Sequence, residues 1–305
     1  MPKITKPELK RTLLKAMARQ QPRAHARFSK SERAASKLVA DWMRKSGLDT
    51  KALAALEDER RLEIQRFVEE ERAKTAKQAA ISHAAVRNQA RALQTLAKKG
   101  EFFTVPSFTL NKPVRISATP GNILKMSRIK PFDSFAKIRV DRKQEGKDKL
   151  SFIFEWFNSS TTPAAIDAVT FLSASGFLEL SVGGGVLYHW GFLTVSAQIA
   201  LGPSLSGSIA YETKDLSGGL MAVNHPIVPG DGHEAGGCHG AFNLTALHHP
   251  VAPFQAVLIE VSLTVDSDCG SSFHSIADFE SGFLGVSCPV VVVRVHQEPP
   301  VITPD

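Results

Sequence analysis

The chain has 305 residues, of which 43% are hydrophobic and 22% are charged, a composition typical of an ordinary globular protein. No apolar run reaches the roughly 20 residues that a membrane-spanning helix needs, and the first residues lack the apolar core of a secretory signal peptide. The three cysteines have no paired spacing, which favours reduced thiols over disulfides. We therefore expect a cytoplasmic protein without a membrane span.

Charge is distributed very unevenly along the chain. Residues 1–150 hold 35 of the 37 Lys and Arg and 16 of the 30 Asp and Glu, a net charge of +19. Residues 151–305 hold two Lys and Arg against 14 acids, a net charge of −12. Because opposite potentials steer association, this split predicts docking between copies of the chain or onto an anionic surface.

Residues 1–100 form a predicted basic helical region. Apolar residues at helical spacing predict helices over about 6–20 and 30–46, and Gly47 stands where a C-terminal cap of the second helix belongs. The third predicted helix covers 51–99, a segment without Gly or Pro and rich in the strongest helix formers. The sequence thus begins with a helical arm or stalk.

The long third segment has two apolar stripes. One contains Leu56 and Phe67, the other contains Ile81 and Val86, and the stretch 72–80 between them is thin in large apolar side chains. Two linked helices and a coiled-coil-like stalk with a weak middle both fit this pattern.

The second half of the chain has the alternating pattern of β-strands. Residues 101–149, interrupted by prolines, form a predicted transition segment with the first strand or strands. Residues 150–305 contain several period-2 runs separated by Gly and Pro clusters, which indicates many short antiparallel strands. The predicted fold class is α+β, a helical arm followed by an acidic antiparallel β-sandwich of jelly-roll or immunoglobulin-like type.

Residues 225–249 contain five of the ten histidines and many Gly and Pro, which predicts a long loop between strands. Zinc is bound by imidazole and thiolate ligands that converge at 2.0–2.3 Å. Side chains that could contribute to such a site are His233, Cys238, His239, His248 and His249. Adjacent residues in extended chain point to opposite sides, so each neighbouring pair supplies at most one ligand. The favoured interpretation is a solvated loop without a cofactor, with zinc as the alternative.

Two further groups of residues are candidate binding sites. Phosphate-binding candidates on the basic arm are Lys3, Lys6, Lys10, Arg11, Lys15, Arg19, Arg23 and Arg27. These cations could equally meet the acidic domain of this or another copy, or simply be solvated. Tyr188 and Trp190 follow a glycine turn and could stack on a sugar if exposed, whereas packing in the core is the alternative.

No catalytic motif such as GxSxG or HExxH is present, so we do not expect an enzyme. The first hypothesis is a structural or interaction protein that self-assembles into a homo-oligomer through its helical region and its charge-complementary sandwich. The sandwich also lacks the edge lysines that commonly block strand pairing between molecules. The alternatives are a nucleic-acid-binding shell or scaffold protein and a carbohydrate- or ligand-binding sandwich. In layout alone, without a matching motif, a basic arm ahead of a sandwich resembles small-virus shell proteins.

Overall fold

The computed structural model describes residues 37–38, 41, 45–47, 50–99, 106–119, 124–130, 134–183, 189–217, 219–224, 232–269 and 273–297. Helix α1 runs without interruption from Thr50 to Lys99, which favours one helix over two linked ones. The predicted first helix lies outside the described residues. Residues 37, 38, 41 and 45 of the second are helical, and Gly47 has the left-handed φ of +70° expected of a C-terminal cap. None of the described helical residues forms a stretch long and apolar enough to cross a membrane.

The rest of the described chain is almost entirely β-strand. The strands are β1 Ser107–Leu110, β2 Arg115–Ala118, β3 Leu124–Lys130, β4 Phe135–Arg142, β5 Gly146–Phe157, β6 Ala164–Val182, β7 Trp190–Gly202, β8 Ile209–Asp215, β9 Leu220–Val223, β10 Gly232–Val251, β11 Ala256–Cys269, β12 Phe273–Phe279, β13 Gly285–Ser287 and β14 Val291–Gln297.

These strands form two antiparallel sheets, which confirms the predicted helix followed by a β-sandwich. In the eight-stranded sheet, the long strand β6 has β10 on one side and β14, β13 and β12 end to end on the other. Strands β1, β4 and β3 continue this sheet outwards. The six-stranded sheet has the order β2-β5-β11-β7-β8, with β9 paired to β7. Strands that precede residue 150 therefore pair with strands that follow it in both sheets.

The core lies between the two sheets and follows from the alternation of the strands. Phe152 and Phe154 of β5 and Leu172 and Leu178 of β6 are at most 1% exposed and belong to one cluster. Burying a side chain of this size contributes roughly 1.5–3 kcal/mol each. The odd-numbered residues of β6 face outwards, and two of them are Phe171 and Phe177, which need a further layer to cover them.

Helix α1 supplies that layer. Val86 and Ala90 pack with Phe171, and Ala79 packs with Phe177 and Leu284. Thr75 and Ala79 are 2% and 0% exposed, so the stretch that looks too poor in large apolar residues contains the two most deeply buried side chains described in the helix. Small side chains allow the helix to approach the sheet closely, and the two phenylalanines of β6 provide the apolar volume instead.

The large apolar residues of the two predicted stripes are distributed differently from the expectation. Leu56, Phe67 and Ile81 are 61%, 47% and 65% exposed, so they form no intramolecular seam. From Val68 onwards the helix lies along its own sandwich, with Arg72 Nη2 3.7 Å from Glu179 Oε2. The docking of helix on sandwich that was expected between molecules is therefore made within one chain over this half of α1.

The fold also changes the meaning of the charge split. The sandwich, residues 107–297, holds 13 Lys and Arg against 16 Asp and Glu, a net charge of −3. Its early strands neutralise the later ones, for example where Lys149 Nζ lies 2.8 Å from Glu260 Oε1 and Lys147 Nζ lies 3.2 Å from Asp266 Oδ2. Residues 1–106 carry a net charge of +12, with 24 Lys and Arg against 12 acids. The chain thus joins a basic N-terminal region, residues 1–106, to a nearly neutral head, the sandwich of residues 107–297.

The prediction of a loop over 225–249 is wrong from Gly232 onwards. Strand β10 pairs with β6 along its whole length, and residues 225–231 lie outside the described part. Side chains of β8 bind backbone groups at the other edge of β10: Glu212 accepts a hydrogen bond from Thr245 N at 2.7 Å, and Lys214 donates to Asn243 O. Glu234 of β10 in turn accepts a hydrogen bond from Met221 N of β9. A lysine and a carboxylate thus occupy the edge that the composition suggested was open.

Candidate nucleic-acid interface

A cleft of about 830 Å³ lies between the second half of α1 and the end of the eight-stranded sheet. One wall is helical and the other is made by β4 and the turn between β12 and β13. The lining residues that bear charge or an aromatic ring are Arg87, Arg91, Phe135, Lys137 and Phe283. A volume of this size is within the range that accommodates a small ligand or a few units of a polymer.

The cleft exists because α1 touches the sheet along one narrow face. Val86 and Ala90 hold the helix against the outer face of the sheet, and Arg87 and Arg91 stand on the adjacent face, one turn or about 6 Å apart. Both arginine side chains belong to exposed residues. The packing of Val86 and Ala90 on the sheet therefore fixes Arg87 and Arg91 at the rim of the cleft.

In the opposite wall, one buried carboxylate holds the turn between β12 and β13 in place. Asp278, 1% exposed, accepts hydrogen bonds from the N–H groups of Glu280 and Ser281 and from the Ser281 hydroxyl, at 2.6–3.0 Å. Burial alone would raise the pKa of Asp278, but these hydrogen bonds and nearby Arg139 outweigh it and lower the pKa below its ordinary value. The carboxylate stays ionised and shapes the turn.

Lys137 ties the turn to β4. Its Nζ donates to the carbonyl oxygens of Glu280 and Gly282, at 2.9 and 2.6 Å, so one ammonium N–H and the full charge remain for a ligand. Gly282 has a φ of +56°, a conformation that glycine adopts without strain, and the chain reverses there. Phe283 follows at the tip of the turn and is 66% exposed.

The electrostatics of the cleft are one-signed. Its described lining includes Arg87, Arg91 and Lys137 but neither Asp nor Glu. The helix that forms one wall holds seven Lys and Arg and no acid between residues 72 and 100. In such an arrangement the cations can bind phosphate groups, and the exposed aromatic rings can stack on bases.

The phosphate-binding residues predicted on the basic arm cannot be placed relative to this cleft. Residues Lys3, Lys6, Lys10, Arg11, Lys15, Arg19, Arg23 and Arg27 all lie outside the described part of the chain. Tyr188 lies outside it as well. Trp190 is 3% exposed and packs with Phe192, Met221 and Val223, so the alternative of core packing holds for it and an exposed sugar platform does not.

The five metal candidates of 225–249 do not converge, because they lie on one extended strand. At about 3.3 Å per residue, His233 and Cys238 are separated by roughly 16 Å. Cys238 faces the core between the sheets, where burial and nearby Asp215 raise its pKa to about 12, while His239 lies on the outer face. A zinc site of the predicted composition is therefore incompatible with the fold.

The last two of these histidines separate as expected of adjacent residues. His249 is 6% exposed, and its Nδ1 lies 2.8 Å from the hydroxyl oxygen of Tyr211. His248 sits at a β-bulge with a φ of +54° and lies near Asp167 of β6 and His296 of β14. Distant segments thus bring together three polar residues that the sequence does not group.

Sequence reasoning missed Arg87, Arg91, Lys137 and Phe283 as a set. One available signal was the run from 72 to 100 that holds cations without acids, because such a one-signed helix suggests an anionic partner. The contributions of Lys137 and Phe283 had no local signal, since these residues are 146 positions apart and meet only through the pairing of β4 with β12 and β13.

Comparisons with known proteins leave the sandwich without an assigned family. No protein-family model and no curated protein matches the chain. Solved structures with some similarity include TmCBM61 in complex with β-1,4-galactotriose, with a TM-score of 0.20, 12% identity and coverage of 60% of this chain and 88% of that one.

Two other solved structures are equally distant. The CBM22-2 xylan-binding domain from Paenibacillus barcinonensis Xyn10C has a TM-score of 0.22 and 7% identity, over 63% of this chain and 99% of that one. A structure of infectious bursal disease virus, Gx strain, has a TM-score of 0.16 and 13% identity, over 62% of this chain and 38% of that one. At such low TM-scores these similarities favour none of the functions, so any assignment depends on the geometry of this chain.

Proposed function

We propose that the protein is a non-enzymatic nucleic-acid-binding scaffold or shell protein that holds a single strand in the cleft beside α1. The observation that carries the proposal is the one-signed lining of that cleft. Arg87, Arg91 and Lys137 offer three positive charges around an aromatic tip, Phe283, and none of its described lining residues is acidic.

A single strand fits this arrangement better than a duplex. Proteins that bind single strands without sequence preference combine a basic groove with aromatic side chains on which bases stack. Phe283 is exposed at the tip of a turn that Asp278 and Lys137 hold in place, so a stacking platform is present before the ligand arrives. A preorganised platform reduces the entropy lost on binding.

The charge of the remaining chain supports the same partner. Residues 1–106 have a net charge of +12, and the predicted arm from Lys3 to Arg27 contains one acid, Glu8. Such a region attracts polyanions at long range and releases their counterions on binding. The nearly neutral sandwich adds little repulsion, so the helical region dominates the encounter.

The test is binding of a fluorescein-labelled single-stranded oligonucleotide, followed by fluorescence anisotropy over a series of salt concentrations. We expect Arg87→Gln combined with Arg91→Gln to weaken binding about tenfold or more. Each lost phosphate contact should lower the slope of log affinity against log salt by about 0.7, so the pair should lower it by about 1.4.

The matched control removes the same charge from the same helix. Lys74 and Lys77 lie on α1 outside the cleft lining, and Lys74 already contacts Glu71 at 2.7 Å. Lys74→Gln combined with Lys77→Gln should change affinity much less. Equal losses of affinity in the two double variants would contradict a role for the cleft. If polyglutamate bound as tightly as the oligonucleotide, the partner would be an acidic protein and not nucleic acid.

Self-assembly is a second candidate, supported by the first half of α1. Leu56 and Phe67 are exposed 11 residues apart, which places them on one side of the helix. Residues 50–67 hold four acids and four Lys and Arg, so two copies of this segment can pair opposite charges in an antiparallel arrangement. The partner of this surface is therefore a second copy of the chain.

Light scattering at low and high salt tests this second candidate. Because the head is nearly neutral and the exposed residues are apolar, we expect an oligomer that persists when salt is raised. Leu56→Ser combined with Phe67→Ser should give monomers, whereas Leu205→Ser, at a residue of the head that is 40% exposed, should not. A wild-type monomer at both salt concentrations would reject self-assembly through α1.

A further inference from the structure

Three polar residues from three strands meet on the outer face of the eight-stranded sheet, away from the cleft. They are Asp167 of β6, His248 of β10 and His296 of β14, and their potential ligand atoms all lie within 4.8 Å of one another. Asp167 is six residues along β6 from Ser173, which pairs with Ser287 of the cleft lining, or roughly 20 Å at 3.3 Å per residue.

The carboxylate is the fixed point of this cluster. Asp167 is 3% exposed, its Oδ1 accepts a hydrogen bond from His248 N at 2.9 Å, and its Oδ2 lies 2.8 Å from His296 Nε2. These two contacts hold the Asp167 carboxylate in a position set by the sheet.

The two imidazoles are available on the solvent side. The ring centroids of His248 and His296 are 5.4 Å apart, and His248 Nδ1 lies 3.7 Å from Asp167 Oδ1. Their side chains are 72% and 33% exposed, so a ligand can reach the open side of the cluster.

The backbone at His248 indicates that the imidazole has a role beyond filling space. Its φ of +54° lies in the left-handed region, where glycine is favoured and other residues are strained. The bulge between Ala246 and His249 turns His248 onto the outer face beside Asp167. Bulges of this kind commonly re-aim a side chain at a binding site.

We propose that Asp167, His248 and His296 form a binding site for a divalent transition-metal ion of the Zn²⁺ type. A ligand set of two imidazole nitrogens and one carboxylate favours Zn²⁺, Ni²⁺ and Cu²⁺ over Mg²⁺ and Ca²⁺. Three protein ligands leave one or more positions for water or a further ligand, in this case on the exposed side.

Arg294 sets the strength of the site. Its Nη2 lies 3.0 Å from Asp167 Oδ2, so its positive charge competes with an incoming cation for the same carboxylate. Replacing Arg294 by Gln removes that competition and should tighten Zn²⁺ binding by about tenfold, the size of effect that outer-shell residues have on metal sites.

Titration of the full chain with ZnCl₂ by calorimetry, and with CoCl₂ by visible absorption, tests the site. We expect one ion in the wild type whose affinity falls by about 100-fold or more in His248→Gly and in His296→Ala, because each loses a direct ligand. The control is His274→Ala, since His274 contacts Asp141 at 2.7 Å outside the cluster and its loss should leave the ion bound.

Thermal unfolding separates a metal site from a structural cluster. His248→Gly relieves the left-handed strain, so without metal its unfolding midpoint should equal or exceed that of the wild type. Added Zn²⁺ should raise the midpoint of the wild type and not of His248→Gly, because only the former binds the ion in its folded state. Wild-type binding no tighter than that of His248→Gly, or equal loss in His274→Ala, would overturn the proposal.

Discussion

The two halves of α1 belong to one helix but differ in almost every physical property. Residues 50–67 hold large apolar side chains that are exposed, such as Leu56 and Phe67, among charges of both signs. Residues 68–94 bury small side chains such as Thr75 and Ala79 against the sheet, and all their charges beyond Glu71 are positive. Burial in this helix therefore follows the shape of the partner surface and not the apolarity of the helix itself.

The difference assigns the two halves different roles. The second half is part of the head, because Phe171 and Phe177 of β6 need its small residues to complete their burial. The same seam presents Arg87 and Arg91 to the cleft. In the first half, the described side chains are exposed apart from the half-buried Ile64, so this half offers a surface to other molecules.

The largest effect should come from truncating the residue on which the second half rests. Phe177 is 0% exposed, packs with Ala79, and has the Arg72 guanidinium carbon 4.9 Å above its ring. Phe177→Ala should lower the free energy of unfolding by about 3–5 kcal/mol, because it removes buried area and leaves a cavity. Denaturant unfolding measures this change.

Phe67→Ala is the matched control for that comparison. Phe67 is 47% exposed on the other half of the same helix, so at protein concentrations where the chain is monomeric its truncation should change the free energy of unfolding by less than about 0.5 kcal/mol. Similar losses for both phenylalanines would mean that the first half also packs on the head, and the contrast between the halves would disappear.

Much of the fold could be predicted from local patterns. The segment without Gly or Pro gives one helix from Thr50 to Lys99, and strands such as β5, β7 and β11 follow the alternation of their apolar residues. Strand β10 was missed because its glycines resemble those of a loop. Gly237 has a packing reason instead, since a Cβ there would lie 2.9 Å from Thr75 Oγ1 where α1 crosses the strand.

The sites were harder to predict because topology creates them. Asp167 and His296 are 129 residues apart, and they become neighbours only through the pairing of β6 with β14. Among the histidines of β10, only the bulge identifies His248 as the one beside them, and no sequence pattern marks a bulge. The charge split at residue 150 was real, but the sheets mix strands from both sides of it.

A smaller effect should come from the carboxylate that supports the second half of α1 from below. Asp278 holds the turn that carries Leu284, which packs with Ala79, and Phe283. Its pKa is lowered in the folded protein, so its contribution to stability is present above the unfolded value of about 3.9 and is lost as pH falls through the lower folded value. Asp278→Asn should lower the free energy of unfolding by about 1–2 kcal/mol at neutral pH.

The pH dependence of the free energy of unfolding tests whether the Asp278 carboxylate stabilises the turn through its charge. The difference between wild type and Asp278→Asn should shrink as pH is lowered from about 5 towards 2, because the wild-type carboxyl becomes protonated and loses its charge-assisted hydrogen bonds. Asp141→Asn is the control, since Asp141 lies near the same Arg139 but its side chain is 44% exposed and its ion pairs are screened by solvent. Denaturant unfolding at several pH values measures both variants. A constant difference for Asp278→Asn across this range would mean that the lowered pKa of Asp278 does not stabilise the turn, and the second half of α1 would then depend on apolar packing alone.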